Sequence, residues 1–189
     1  MKATYQRSLD EARELFAALD PLGAPLEQAA AAVLDCLKAG GKLLTCGNGG
    51  SAADSAHFAT EFSCRFSSDR RPYPAIALAS DAGLITAIGN DYAFQDIFSR
   101  QVWAFGKPGD ILLAFSTSGK SRNILSAIEE ARRRGLKSIA FLGKGGGFTG
   151  GAADIELIVP GKVTARIQEA HKFLLHALCE IVEDAIPKE

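Results

Sequence analysis

The sequence predicts an α/β fold, a parallel sheet flanked by helices on both faces with further helices ahead of the first strand. Three observations predict it. Short, mostly apolar runs alternate with longer stretches of helical periodicity, the order of a parallel sheet joined by crossover helices. The 19 glycines bunch at the ends of the apolar runs. Finally, 189 residues, 47% of them hydrophobic and 23% charged, suit one compact domain spanning 1–189, with no linker, internal repeat or low-complexity tract.

Residues 1–40 are expected to form two helices used in packing or oligomerisation. Leu9, Ala12, Leu15, Phe16 and Leu19 recur at helical spacing until Asp20-Pro21-Leu22-Gly23 breaks the pattern. The alanine-rich stretch from Leu26 to Ala39 stops at Gly40-Gly41. Lys42 to Cys46 is the first strand, followed by a glycine turn and a helix from Ser51 to Phe66. Ala75 to Ala79 reads as a strand, and Asp81 to Ile88 and Phe94 to Phe105 read as helices. Asp110 to Phe115 is a buried strand, Ser121 to Arg134 a helix and Lys137 to Leu142 another strand. Beyond the glycine-rich stretch Gly143 to Gly151 come a strand from Asp154 to Val159 and a closing helix from Thr164 to Ala185. In such sheets ligands bind outside the carboxyl ends of the strands.

Composition excludes several classes. A net charge of −1 leaves no basic stripe for a phosphate backbone, so no nucleic acid partner is expected. No apolar run is long enough to span a bilayer. The charged stretch MKATYQRSLDEARELF lacks the apolar core of a signal peptide, so a cytoplasmic location and no membrane partner are expected. Cys36, Cys46, Cys64 and Cys179 contain no C-x-x-C pair and read as reduced thiols, not a disulfide frame or thiolate zinc cluster.

Two turns lie where the strand-end rule places a ligand. Cys46-Gly47-Asn48-Gly49-Gly50-Ser51 lets backbone N–H groups approach a ligand closely, at a helix N-terminus that favours an anion. Phe115-Ser116-Thr117-Ser118-Gly119-Lys120-Ser121 offers four hydroxyls and several N–H groups, suited to phosphate oxygens. Nucleotide readings fit poorly. Gly47-x-Gly49-x-x-Ala52 lacks a well-placed acidic residue, since the nearest, Asp69, falls in the polar stretch Ser67 to Arg71. A Walker loop ending Gly119-Lys120-Ser121 would have Ala114 in place of its leading glycine.

Only three histidines are available, His57, His171 and His176. His57 and Glu61 stand at i and i+4 on one helix face. That spacing admits a surface ion pair or a shared site for a metal or substrate, and the neighbouring loop favours the site. In the last helix, Ile167, Leu174, Leu175, Leu178, Ile181 and Val182 form an apolar stripe. His171 falls within the stripe and reads as a hydrogen-bonded, partly buried histidine. His176 and Gln168 flank its polar edge, which makes His176 the better acid candidate.

Four blocks carry a resemblance that covers nearly the whole chain, in order. They are CGNGGSAADSAHFATEF (Cys46 to Phe62), GNDYAFQDIFSRQV (Gly89 to Val102), FSTSGKSRN (Phe115 to Asn123) and ARIQEAHKFLLHALCEIVE (Ala165 to Glu183). They resemble the phosphoheptose isomerases, the sedoheptulose 7-phosphate isomerases of the sugar isomerase (SIS) fold group. The resemblance implies an SIS-type, flavodoxin-like three-layer sandwich that forms a homotetramer with active sites between subunits. It implies an aldose–ketose isomerase that converts sedoheptulose 7-phosphate to D-glycero-D-manno-heptose 7-phosphate through an enediol, as a precursor step to lipopolysaccharide or related glycans.

Carried over position by position, the resemblance implies that His57, Glu61, Gln168 and His176 bind one zinc ion per subunit. Glu61 would be the general base and His176 the general acid. Asn48, Gly49, Gly50 and Ser51 would hold the sugar, with Glu61 and Gln168 also touching substrate. Asn90 and Asp91 would contact its hydroxyls, and Ser116, Thr117, Ser118 and Ser121 would clasp the phosphate, with Lys120 adding charge. Two other functions share the same loops: a non-catalytic SIS-type module that binds a phosphosugar or a protein, and an isomerase of another phosphosugar. The acid–base quartet separates the enzyme from the binding module.

Overall fold

A computed structural model describes residues 1–186, so positions 187–189 of the expected domain lie outside the described residues. Five strands, β1 (Leu43–Gly47), β2 (Ala75–Ala77), β3 (Ile111–Ser116), β4 (Lys137–Gly143) and β5 (Ile155–Val159), form one sheet in the order β2-β1-β3-β4-β5. Every neighbouring pair is parallel. The helices are α1 (Lys2–Ala17), α2 (Gly23–Lys38), α3 (Gly50–Ser63), α4 (Ala82–Asp91), α5 (Ser99–Phe105), α6 (Arg122–Arg133) and α7 (Thr164–Ala185).

Period-two alternation divides the core in two, because successive strand residues point to opposite faces. Ile111, Leu113 and Phe115 of β3 join Ile139, Phe141, Leu157 and Val159 in one cluster, covered by α2, α3 and α7. Leu112 and Ala114 join Leu44, Cys46, Ala140 and Leu142 in the other, covered by α4, α5 and α6. The result is the three-layer α/β sandwich that the alternation predicts. The two N-terminal helices differ in burial. α2 buries seven residues, from Leu26 to Leu37, whereas α1 buries only Leu15.

At the amino ends of the strands, far from the predicted loops, Asp110 fastens β3 to β1. Its carboxylate accepts the Lys42 and Lys107 N–H groups at 3.0 and 2.8 Å and pairs with the Lys42 ammonium.

Several boundaries shift by two or three residues, among them the start of α2, the end of β2 and the end of α4, and two departures have a clear physical cause. The helix expected over Phe94 to Phe105 is a single 3₁₀ turn, Phe94–Asp96, followed by α5. Ile97, Phe98 and Val102 stay buried across the break, so the apolar spacing is the same with or without it. The helix expected to reach Phe66 ends at Ser63, because Cys64 leaves helical geometry with φ −109° and ψ −95°. Of the carbonyls freed in its last turn, that of Glu61 accepts from Arg70 in the following loop and that of Phe62 from both Arg70 and the Tyr73 N–H.

Candidate active site

The chain leaves β1 for the β2 edge and returns to β3 on the other side, so the strand order reverses between β1 and β3. α3 and α6, which follow these two strands, pass to opposite faces and open a crevice above their carboxyl ends. Both predicted loops border it. After β1, Gly49 takes φ +56° and ψ −121°, a conformation that suits glycine alone. This lets α3 begin almost at once, with the Ser51 N–H donating to the Asn48 oxygen at 3.0 Å.

After β3, the loop is folded by its own hydroxyls. The Gly119 N–H donates to Ser116 Oγ at 3.1 Å and the Lys120 N–H to Ser118 Oγ at 3.1 Å. Ser121 stands at the N-cap of α6, but its hydroxyl makes no capping bond; it lies 3.4 Å from Ser116 Oγ. With Asn48, Phe94, Gln95, Arg122 and Asn123 it lines a cavity of about 250 Å³. A reciprocal amide pair joins the two loops: Asn48 Nδ2 donates to Asn123 Oδ1 at 2.9 Å, and Asn123 Nδ2 to Asn48 Oδ1 at 2.8 Å.

The second half of the site is the seam between α3 and α7. A Cβ on Gly50 would overlap the Gln168 amide. One turn on, Lys172 Nζ lies 2.9 Å from Asp54 Oδ1. Another turn on, His176 Nε2 lies 2.9 Å from His57 Nε2, which is also 3.0 Å from Glu61 Oε1. Partners advance together along both helices, so α3 and α7 run parallel. The i, i+4, i+8 spacing of Gln168, Lys172 and His176 puts all three on the facing side. Asp54, Gln168 and Lys172 border a cavity of about 490 Å³ with Ala165 and Glu169.

Burial pushes the pKa of His57 below the ordinary imidazole range, helped by Lys172 and His176 and opposed by Glu61 and Asp54. It is therefore neutral at pH 7 and able to offer a lone pair. His171 is fully buried, edge-on to Phe115 and Phe141, with Nε2 3.1 Å from the Leu142 oxygen. Burial pushes its pKa down as well.

Two residues outside the expected set support the seam. Arg70 pairs with Glu183 of α7 at 3.3 Å and donates to the Glu61 and Phe62 oxygens at 2.6 and 3.2 Å. Glu183 also accepts the Ser67 and Ser68 N–H groups at 3.0 and 3.2 Å. Arg70 thus ties the end of α3, with its Glu61, to the helix that carries His176. The only sequence signal was that Glu183 lies two turns beyond His176 on the same face. Asn123 ends the FSTSGKSRN block, yet its tie to Asn48 is equally non-local.

The structure brings His57, Glu61 and His176 together, and it does not bring Gln168 to them. Gln168 precedes His176 by two helical turns, about 12 Å along the axis, with the Asp54–Lys172 pair between. Within this chain Gln168 therefore stands apart from the other three expected ligands. The chemistry of the other three suits zinc: two imidazoles, one held neutral, and a carboxylate. As they stand they are hydrogen-bonded to one another, and among the described residues no group of three or more His, Cys, Asp or Glu is arranged to hold a metal ion. Asn90 and Asp91 are also set apart. The Asn90 amide donates to Asp91 Oδ1 at 2.8 Å, and Asp91 lines a separate cavity with Tyr92 and Arg100.

The sheet order and the two strand-end loops define an SIS-type sugar-phosphate fold, and the SIS domain family matches residues 8–143. Phosphoheptose isomerase of Campylobacter concisus is 45% identical over 185 residues, 98% of each chain. That of Dechloromonas aromatica is 50% identical over 177 residues, 92% of this chain and 90% of its own. The structure of phosphoheptose isomerase GmhA from Neisseria gonorrhoeae superposes with a TM-score of 0.92 at 40% identity, covering 97% of this chain and 98% of that one. A phosphoheptose isomerase from Francisella tularensis gives 0.88 at 44% identity, covering 97% and 96%. The chain belongs to the phosphoheptose isomerase family of SIS-domain proteins.

Proposed function

We propose that this chain converts sedoheptulose 7-phosphate to D-glycero-D-manno-heptose 7-phosphate, supplying heptose for lipopolysaccharide or related glycans. The observation that carries the proposal is the convergence of Glu61 and His176 on His57, down one helix face from loops suited to a phosphate. Glu61 removes a proton from C1 of the ketose while His176 gives one to the C2 oxygen, forming the enediol. His176 then takes the proton of the C1 hydroxyl as the C1 carbonyl forms, and Glu61 returns its proton to C2. Every proton removed is returned, and no co-reactant is needed.

Ser116, Thr117, Ser118 and Ser121 clasp the phosphate with loop N–H groups, at helix ends that favour an anion. Gly49, Gly50, Ser51 and Gln168 hold the sugar. Asn48 has its side chain committed to Asn123 and offers its backbone. We assign zinc to His57, Glu61 and His176, where its chemistry is polarisation of the substrate oxygens. We further propose a homotetramer that brings Asn90 and Asp91 to the substrate. Exposed Tyr92, Phe94, Trp103 and Phe105 support an assembled state, since large aromatics in one region mark contact surfaces. Four free cysteines support a reducing, cytoplasmic setting.

The test is incubation of the purified protein with sedoheptulose 7-phosphate, following aldose formation with and without a chelator, alongside metal analysis and mass in solution. Aldose should form, and chelation should slow it. No conversion under any metal condition would replace the enzyme with a phosphosugar-binding module.

A further inference from the structure

The glycine-rich stretch after β4 has no part in the reaction as derived above, yet it lies directly against the Ser116–Ser121 loop. A Cβ at Gly143 would come within 2.5 Å of the Thr117 oxygen. A Cβ at Gly147 would overlap the Gly119 carbonyl, and one at Gly119 would overlap the Gly146 carbonyl. The Thr149 N–H donates to the Gly119 oxygen at 3.0 Å. Backbone therefore meets backbone with no side chain between. Gly147, at φ +56° and ψ −142°, holds a conformation that side-chain-bearing residues rarely adopt.

We infer that the stretch from Gly143 to Thr149 is a backing wall that sets the shape of the phosphate loop, which makes Gly143 and Gly147 positioning residues for phosphate binding. The inference rests on the proposal that Ser116–Ser121 clasps the phosphate. Its basis is the planarity of the peptide group, in which the carbonyl and the following N–H point in opposite directions. Pinning the Thr117 and Gly119 oxygens against the wall turns the Ser118 and Lys120 N–H groups away from it. The Lys120 N–H does point to that other side, where it meets Ser118 Oγ. A phosphate accepts hydrogen bonds only within a narrow distance and angle, so the loop has to be held in shape before ligand arrives.

The experiment compares Gly143→Ala and Gly147→Ala with Gly151→Ala. Gly151 shares the positive φ of Gly147, at +84°, but nothing lies within 4 Å of its Cβ position, so it controls Gly147→Ala for backbone strain, which the extended Gly143 at φ −134° does not carry. Gly143→Ala and Gly147→Ala should raise KM for sedoheptulose 7-phosphate, and weaken inorganic phosphate binding, by about tenfold or more, the loss of a charge-assisted hydrogen bond. Their kcat should stay within about threefold of the parent, and Gly151→Ala should leave both constants unchanged. Equal effects from Gly151→Ala, or an unchanged KM in the first two, would overturn the inference. If neither of those variants folds, hydrogen exchange on the unaltered protein decides. Inorganic phosphate should slow exchange at the Thr149 amide together with Ser116–Ser121, and no slowing at Thr149 would overturn it. An unaltered protein that binds neither phosphate nor the phosphosugar removes the phosphate loop itself, and the wall's role with it.

Discussion

The strand-end loops and the α3–α7 seam use opposite materials. The loops are peptide groups and hydroxyls, shaped by glycines at which another backbone or amide approaches too closely for a Cβ. The seam is titratable side chains held in register on two parallel helices. A site built from backbone is damaged by added volume and is indifferent to protonation. A site built from titratable groups is damaged by an isosteric change that alters only protonation. Volume and protonation variants therefore separate binding from chemistry.

The largest expected effect is on the seam. Glu61→Gln keeps the shape and removes the base, so kcat should fall by about 10²–10⁴-fold while phosphosugar affinity, measured by calorimetry, is retained. His176→Gln should follow the same direction, and near-normal turnover in either variant would break the division. Next comes the support behind the seam. Arg70→Met removes the guanidinium partner of the buried Glu183 carboxylate and the side-chain donor to the Glu61 carbonyl, while the Phe62 carbonyl keeps the Tyr73 N–H. Unfolding in urea should show a loss of about 3–5 kcal/mol, with partial recovery in Arg70→Lys. Smaller again is Ser121→Ala in the loops, which should raise KM by about tenfold with kcat unchanged.

The smallest effect concerns pH. Burial holds His171 below the ordinary imidazole range, so as pH falls the unfolded chain takes up this proton first. His171 thus contributes stability in full above about pH 6.5, and that contribution declines below it by up to about 1.4 kcal/mol per pH unit. Urea titrations across that window should show a flatter slope in His171→Gln. An unchanged slope would place the acid sensitivity elsewhere.

Local patterns made much of the fold legible. Short apolar runs marked all five strands, even the three-residue β2 at the sheet edge, because burial between two helical layers demands apolar residues on both faces of the central strands. The break ahead of α5 was invisible, since Ile97, Phe98 and Val102 bury equally well through a 3₁₀ turn. The two loops were legible because hydroxyls and glycines bunch within a few residues. The ties between distant positions were not: Asn48 to Asn123, Asp54 to Lys172 and Arg70 to Glu183 each join residues brought together only by the packing of whole helices. The separation of Gln168 from His176 was open to helix arithmetic, which puts residues eight apart two turns from each other.

The reciprocal amide pair of Asn48 and Asn123 has a kinetic consequence. Each amide gives one hydrogen bond and receives one, so the pair is satisfied whether or not the crevice is filled. The conformational entropy of arranging the two loops is then lost once, as the chain folds, and not at each encounter with substrate. Product can therefore depart without breaking this pair.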